Sequence, residues 1–349
     1  MSSSRHSTDI VIVGAGPVGL FTVFEAGMLR MRCHVVDVLD EIGGQCTALY
    51  PEKPIYDIPG YPRLSASELI DRLAEQMAPF EPVYHLGQQV TSVAPADGGG
   101  WRVGTAKDAA IDCKAIVVAA GCGAFGPHRP PLEGIAAYEG KSVFYMVRRR
   151  EDFRDKRVVI AGGGDSAVDW ALSLAEVAAR VSVVHRRPKF RGAPETVETL
   201  NRLAAEGRID LVVPFQLAGL EGEDGVLSAV VVHDFDGDTR RIEADALLPF
   251  FGLAMELGPI ADWGVELERK HIVVEPETSQ TSVPGIFAVG DIVTYPGKLK
   301  LILTGFSEAA MAAHAIHPLV YPDQELHFEY STTKGVPGVG DGEAQASRG

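Results

Sequence analysis

Two stretches of this chain follow one design at one spacing, and they constrain its fold more than anything else in it. In "DIVIVGAGPVGLFTVFEAGMLRMRCHVVD" an apolar run, Ile10 to Val13, ends at Gly14-x-Gly16-x-x-Gly19, and a second run, His34 to Val36, closes on Asp37. "RVVIAGGGDSAVDWALSLAEVAARVSVVHRR" repeats the arrangement: Val158 to Ala161, then Gly162-x-Gly164-x-x-Ala167, then Val181 to Val184 and His185. Gly14 to Asp37 is 23 positions, and Gly162 to His185 is 23 as well. One such fingerprint is weak, but two with matched spacing read as two strand–turn–helix–strand units that bind dinucleotides.

The glycines have separate tasks. The first permits the tight turn, the second lets backbone approach a pyrophosphate, and the third (Ala167 in the second unit) allows close helix–strand packing. The helix that follows aims its unpaired N–H groups and its dipole at the phosphates, and Asp165 and Ser166 at the start of the second unit's helix are cofactor-binding candidates. The units differ at their far ends. Asp37 is placed to accept from ribose hydroxyls, whereas His185, Arg186, Arg187 and nearby Arg191 form a basic cluster suited to a 2′-phosphate. The second unit is therefore expected to take NADPH rather than NADH.

At 349 residues the chain suits about two domains. The expected fold is α/β, with two Rossmann-like three-layer dinucleotide-binding domains. Residues 1–118 and 252–349 form one split domain and 119–251 form a domain inserted into it, with "AIVVAAGCGAFG" and "ALLPFFGLA" as the crossings. The Gly-rich polar tail, 335–349, is expected to be disordered. A net charge of −15 argues against nucleic acid, and no run of about 18 apolar residues suggests a membrane span. Cys33, Cys46, Cys113 and Cys122 form no C-x-x-C pair and have no metal-ligand spacing, which fits a cytoplasmic protein without a metal.

Two further segments carry chemistry. "EIGGQCTALYPEKPIYDIPGYP" is a loop punctuated by Gly and Pro that presents Gln45 and Tyr50, and "TSVPGIFAVGDI" delivers Asp291 at the end of a short apolar strand, with a helix from about Thr304. In these residues and in the paired fingerprints, from about Asp9 to Lys334, the chain resembles the two-domain pyridine-nucleotide flavoproteins of the thioredoxin reductase type. Within that group it looks most like the thioredoxin-reductase-like ferredoxin–NADP⁺ reductases. The resemblance implies FAD in the split domain, NADPH in the inserted one, and a homodimer. It implies that Gly14, Ala15, Gly16 and Gly19 cradle the pyrophosphate, that Asp37 binds ribose, and that Gln45 lies beside the flavin. It further implies Tyr50 stacking on the ring, contacts from Val90 and Phe125, and Asp291 on the ribityl–phosphate part. Tyr330 would cover the other flavin face, with Ser331 and Thr332 near the ring and His327 and Phe328 as neighbours.

Disulfide reductases of this kind need a C-x-x-C before the second fingerprint, because one sulfur must engage the flavin and the other the substrate. This chain has "KSVFYMVRRREDFRDK" there, without a thiol. The expected chemistry is then direct transfer between NADPH, flavin and a one-electron partner, ferredoxin or flavodoxin. Alternatives are an NADPH diaphorase or quinone reductase with a small acceptor, and a non-catalytic NADPH sensor. Phe144 to Arg157 holds six basic and three acidic residues, and Lys298 and Lys300 are also basic, so each region is a candidate docking patch for an acidic partner. A solvated linker is the competing reading of the first.

Overall fold

The computed structural model describes residues 4–123, 126–254, 256–326 and 335–336. The chain divides into two compact units, Met1–Ala124 with Met255–Gly349, and Phe125–Ala254.

In the split unit, the fingerprint strand Ile10–Val13 is the middle of a five-stranded parallel sheet. Its neighbours are Cys33–Val36 on one side and Ala115–Val118 on the other, with Val83–His85 and Ile286–Ala288 at the edges. Both faces of this sheet are covered, which is why its strands are continuous apolar runs. Side chains alternate across it: Ile10 and Ile12 pack with Leu20, Val23 and Ile316 in a helical layer, while Val11 and Val13 pack with Val103 and Ile111. The helical layer contains Pro17–Met28, Ala66–Met77 and the C-terminal helix Ile302–Val320, which begins two residues before the expected start. The opposite layer is a four-stranded sheet in the order Ser4–Ser7, Ala109–Cys113, Trp101–Thr105, Val90–Pro95.

The inserted unit repeats the plan on a smaller scale. Arg157–Ala161 is flanked by Arg180–Val184 and Ala246–Pro249 in a four-stranded parallel sheet whose remaining strand is Ile209–Val212. Helices Asp165–Leu174 and Pro194–Ala205 belong to it. An antiparallel sheet of Gln216–Glu223, Val226–His233 and Thr239–Glu243 covers the other face, where Leu227, Val230, Val232 and Ile242 pack against Val159, Ala161 and Leu247. Each unit is thus a three-layer Rossmann-like domain.

Candidate functional site

The glycines of the first fingerprint separate by what surrounds them. Gly14 has φ +114°, and a Cβ there would fall 2.4 Å from the Ala119 carbonyl oxygen. A Cβ on Gly19 would fall 2.0 Å from the Gly14 carbonyl oxygen, so helix and turn touch there. Gly16 differs, because an added Cβ would meet nothing within 4 Å. Two positions close the fold and the middle one opens a space beside the helix N-terminus. Gly16 caps that helix without a side-chain hydrogen bond, leaving its first N–H groups available to an anion. The Ala66–Met77 helix, by contrast, is closed by a Ser65–Glu68 capping box.

The loop after Asp37 folds back over this space. Gly43 N–H donates to the Ala15 carbonyl at 2.8 Å, and Gly44, with φ +57°, comes so near Gly16 that an added Cβ would stand 3.0 Å from its Cα. Asp37 Oδ2 accepts from Ala15 N–H at 2.6 Å and Oδ1 from Leu39 N–H at 2.8 Å. Burial pushes this carboxyl up, against backbone donors Ala15, Leu39 and Val38. Each oxygen keeps a further lone pair for a ligand hydroxyl.

Gln45 opens the short helix Gln45–Ala48, and its amide lies 3.3 Å from where a Cβ on Gly121 would be. Burial raises the Cys122 thiol above the usual range, with neighbouring Gln45 lowering it, Asp291 raising it and Lys300 lowering it. Burial pushes the Cys46 thiol up to about 12, eased by a hydrogen bond to Tyr50 and reinforced by Asp291. Tyr50 is itself raised, by burial and then by the neighbouring Cys46, Asp291 and Cys122. Gln45, Cys46, Tyr50, Cys122 and Asp291 therefore lie near one another, although 246 positions separate the first from the last. Lys53 Nζ stands 5.9 Å from the Tyr50 ring centroid. Val90 is buried, 3% exposed, in the core. Phe125, Tyr330, Ser331, Thr332, His327 and Phe328 lie outside the described residues.

Sequence reading missed what holds Asp291. Glu308, on the C-terminal helix, is 1% exposed. Its Oε2 accepts from Gly290 N–H at 2.7 Å, and its Oε1 accepts from Tyr295 OH at 2.6 Å and from Lys298 Nζ. Burial and then Glu308 raise the Tyr295 hydroxyl, which stays a donor. Lys298 is thus a buried ion-pair partner, its side chain 5% exposed, and not part of a docking patch. Glu308 has no local sequence signal, since its partners precede it by ten or more positions.

In the inserted unit, Gly162 has φ +155° and a Cβ there would meet the Phe250 carbonyl oxygen at 2.5 Å and Ala167 at 3.0 Å, whereas Gly164 is open. Ala167 is buried, and Asp165 and Ser166 are exposed at the helix start. Asp165 Oδ1 accepts from Ala193 N–H at 3.2 Å, and the helix has no side-chain cap. Arg186, Arg187 and Arg191 are exposed and none pairs with an acidic side chain among the described residues. Arg191 N–H donates to the Gly163 carbonyl at 2.7 Å, fixing that arginine beside the fingerprint. His185 behaves differently from its neighbours. It is buried, packs against Phe190 at 5.2 Å, and lies directly under Gly163, where a Cβ would be 2.2 Å from its Cε1. Burial and then the arginines hold its imidazole below the ordinary range, so it is a neutral support for the loop rather than a fourth cation.

The basic stretch before the second fingerprint is compensated. Arg149 pairs with Asp152 at 2.7 Å, Arg150 with Glu176 at 2.7 Å, Arg154 with Glu151 at 2.5 Å, and Arg157 with Asp245 at 2.6 Å and Glu243 at 2.8 Å. Glu176, Glu243 and Asp245 come from outside the stretch and cancel its local excess of three positive charges. Four of its five arginines are thus held in ion pairs, and Arg148 is exposed.

Residues 8–315 match the model of the pyridine nucleotide-disulphide oxidoreductases. The chain belongs to that family. Among curated family members, the chain is 60% identical over 334 residues to a ferredoxin–NADP reductase of Paramagnetospirillum magneticum, covering 96% of this chain and 99% of the other. It is 61% identical over 340 residues to a ferredoxin–NADP reductase of Rhodospirillum rubrum, covering 97% and 99%. Among solved structures, a T. acidophilum thioredoxin reductase superposes with a TM-score of 0.78 at 26% identity, covering 89% of this chain and 98% of that one. A Lactococcus lactis thioredoxin reductase gives 0.77 at 25% identity, covering 90% and 99%. This member of a disulphide oxidoreductase family has four free cysteines among the described residues, three of them buried and all with raised thiols or a desolvated setting.

Proposed function

We propose that the protein passes electrons between NADPH and ferredoxin or flavodoxin through FAD, without a protein disulfide in the path. The observation that carries this reading is the segment Phe144 to Arg157, where ion-paired arginines stand in place of the thiol pair that a disulfide reductase on this scaffold requires. The names of the similar proteins support it. The residues present suit both cofactors. FAD belongs in the split unit, its pyrophosphate over open Gly16 and the uncapped helix, its ribose on the free lone pairs of Asp37. NADPH belongs in the inserted unit, its pyrophosphate over Gly164 and its 2′-phosphate on Arg186, Arg187 and Arg191, with Ser166 at the helix start.

When bound, FAD takes electrons as a pair from NADPH and releases them singly. The chain's own contribution is placement. Gly290 and Glu308 fix Asp291 where a ribityl–phosphate hydroxyl would reach it. Gln45 offers both a donor and an acceptor to a ring edge. Tyr50, beside Cys46, offers a ring face. Phe125 and Val90 are assigned flanking contacts, and Tyr330, Ser331 and Thr332 the opposite face. A homodimer in the cytoplasm is the form we infer, and no described helix is long and apolar enough to cross a membrane.

The test is NADPH-driven reduction of cytochrome c with and without ferredoxin. Strong dependence on ferredoxin, weakened by salt, is expected. A rate indifferent to ferredoxin but supported by a small quinone would replace this reading with that of a diaphorase. A protein that holds no flavin would remove both.

A further inference from the structure

One edge of the split unit combines exposed cations, exposed apolar side chains and nearness to Asp291. Lys300 is exposed, and its ammonium donates to His271 Nε2 at 2.8 Å. His271 Nδ1 lies 3.1 Å from the Arg269 carbonyl oxygen. An imidazole that accepts at Nε2 and donates from Nδ1 is neutral with its proton on Nδ1, so it anchors the lysine without cancelling its charge. Arg269 and Lys270 form the exposed turn between Leu267–Glu268 and His271–Val273, with φ of 47° and 69°. Arg269 has no acidic partner among the described residues. Leu299 and Leu303 flank Lys300 in the chain and are 61% and 42% exposed.

The position of this edge matters as much as its charge. Lys300 lies two positions from Lys298, which pairs with Glu308, and Glu308 accepts from the N–H of Gly290, the chain neighbour of Asp291; the Lys300 charge also lowers the Cys122 thiol. The cations thus begin close to residues assigned to the flavin. The two alternatives are weaker on the same physical grounds: the excess charge of the Arg148–Arg157 stretch is offset by Glu176, Glu243 and Asp245 from elsewhere in the chain, and Lys298 is buried on Glu308.

We propose that Lys300, the Arg269–Lys270 turn and the apolar Leu299 and Leu303 form the docking ledge for a small acidic electron-transfer protein. This rests on the function proposed above. The chain carries −15 overall and repels an acidic partner at long range, so local cations decide where such a partner settles. The leucines supply the apolar contact that holds it once its charges are matched. Glu266 and Glu268 lie in the same hairpin and oppose the cations, so affinity at this ledge is held below its maximum.

The experiment is titration of the flavin-loaded, full-length protein with a purified acidic [2Fe–2S] ferredoxin at low and at high salt, by calorimetry. Lys300→Glu with Arg269→Glu is expected to raise Kd roughly 10- to 100-fold and to flatten its salt dependence, and Glu268→Gln to lower Kd about twofold. Arg148→Glu with Arg149→Glu is expected to change Kd less than about twofold. Melting temperature and flavin content of each variant, with the milder Lys300→Gln in parallel, separate docking from misfolding. Unchanged binding by the Lys300 and Arg269 variants, while wild type still binds and reduces ferredoxin, overturns the ledge and leaves the function standing. Equal losses from the Arg148 and Arg149 reversal, or a change in the protein's own oligomeric mass on reversing Lys300 and Arg269, also overturn it. Wild type that neither binds nor reduces ferredoxin overturns both.

Discussion

Replacing Lys298 with methionine keeps most of the buried stem and removes only the ammonium. Glu308 is then left 1% exposed with a carboxylate that has lost its counter-charge. Breaking one side of a buried ion pair costs about 3–5 kcal/mol. The hydrogen bonds from Gly290 N–H at 2.7 Å and Tyr295 OH at 2.6 Å survive, which puts Lys298→Met near the lower end, about 3 kcal/mol. For a unit of this size that corresponds to a fall in Tm of roughly 6–12 °C. Because Gly290 carries Asp291, FAD affinity should fall as well, measured by flavin fluorescence during dilution. A second substitution, Glu308→Gln, removes the stranded charge and keeps an acceptor for Gly290, so Lys298→Met/Glu308→Gln should regain most of the lost Tm. The reasoning is refuted if Lys298→Met melts within about 2 °C of wild type, or if the double variant is less stable than the single one.

Other outcomes follow from the same geometry. Gly16→Ala should fold with nearly unchanged Tm and lose FAD, because the new Cβ meets no protein atom but enters the pyrophosphate space; Gly14→Ala, at φ +114° and 2.4 Å from Ala119 O, should fail to fold stably, and equal behaviour of the two would sink the distinction. Arg186→Ala/Arg187→Ala should raise KM for NADPH at least about tenfold with little effect on NADH, since bidentate contacts to a phosphate are lost; equal losses would show that neither arginine reads the 2′-phosphate. His34 Nδ1 lies 3.0 Å from His85 Nε2, with the His6 ring 5.1 Å from His85. Burial first, then His85, His6 and Arg32, lowers His34 to about 4. A base lowered in the folded state loses stability as pH falls from its unfolded value, about 6.5, through its folded one, because the unfolded chain then binds more protons. Urea unfolding should give about 1–2 kcal/mol less stability at pH 4 than at pH 7 from this site, after screening, and His34→Gln should flatten that slope.

Much of this was readable along the chain because the signals are local. Both sheets were announced by their apolar runs, and Ile10–Val13 required only that each face be covered. The fingerprint glycines were legible because each turn needs a backbone that only glycine supplies. What escaped was made by distance. Glu308 looks like an ordinary polar residue on a helix until Gly290, Tyr295 and Lys298 converge on it. The arginines of the Phe144 to Arg157 segment looked free because Glu176, Glu243 and Asp245 arrive from later in the chain. His185 sits in line with arginines, yet the alternation of a strand end turns it inward beneath Gly163 while they face solvent. The polar edge strand Ser4–Ser7 has no apolar alternation at all, and pairing with Ala109–Cys113 is what makes it a strand.

The most direct test of electron flow without a disulfide is anaerobic addition of NADPH to the purified protein, followed at the flavin absorbance and by counting reactive thiols, before and after oxidised ferredoxin is added. The expected result is bleaching of the flavin with no new thiols, then return of its absorbance as ferredoxin is reduced. Appearance of two thiols on reduction, or a reduced flavin that ferredoxin leaves untouched, would contradict it.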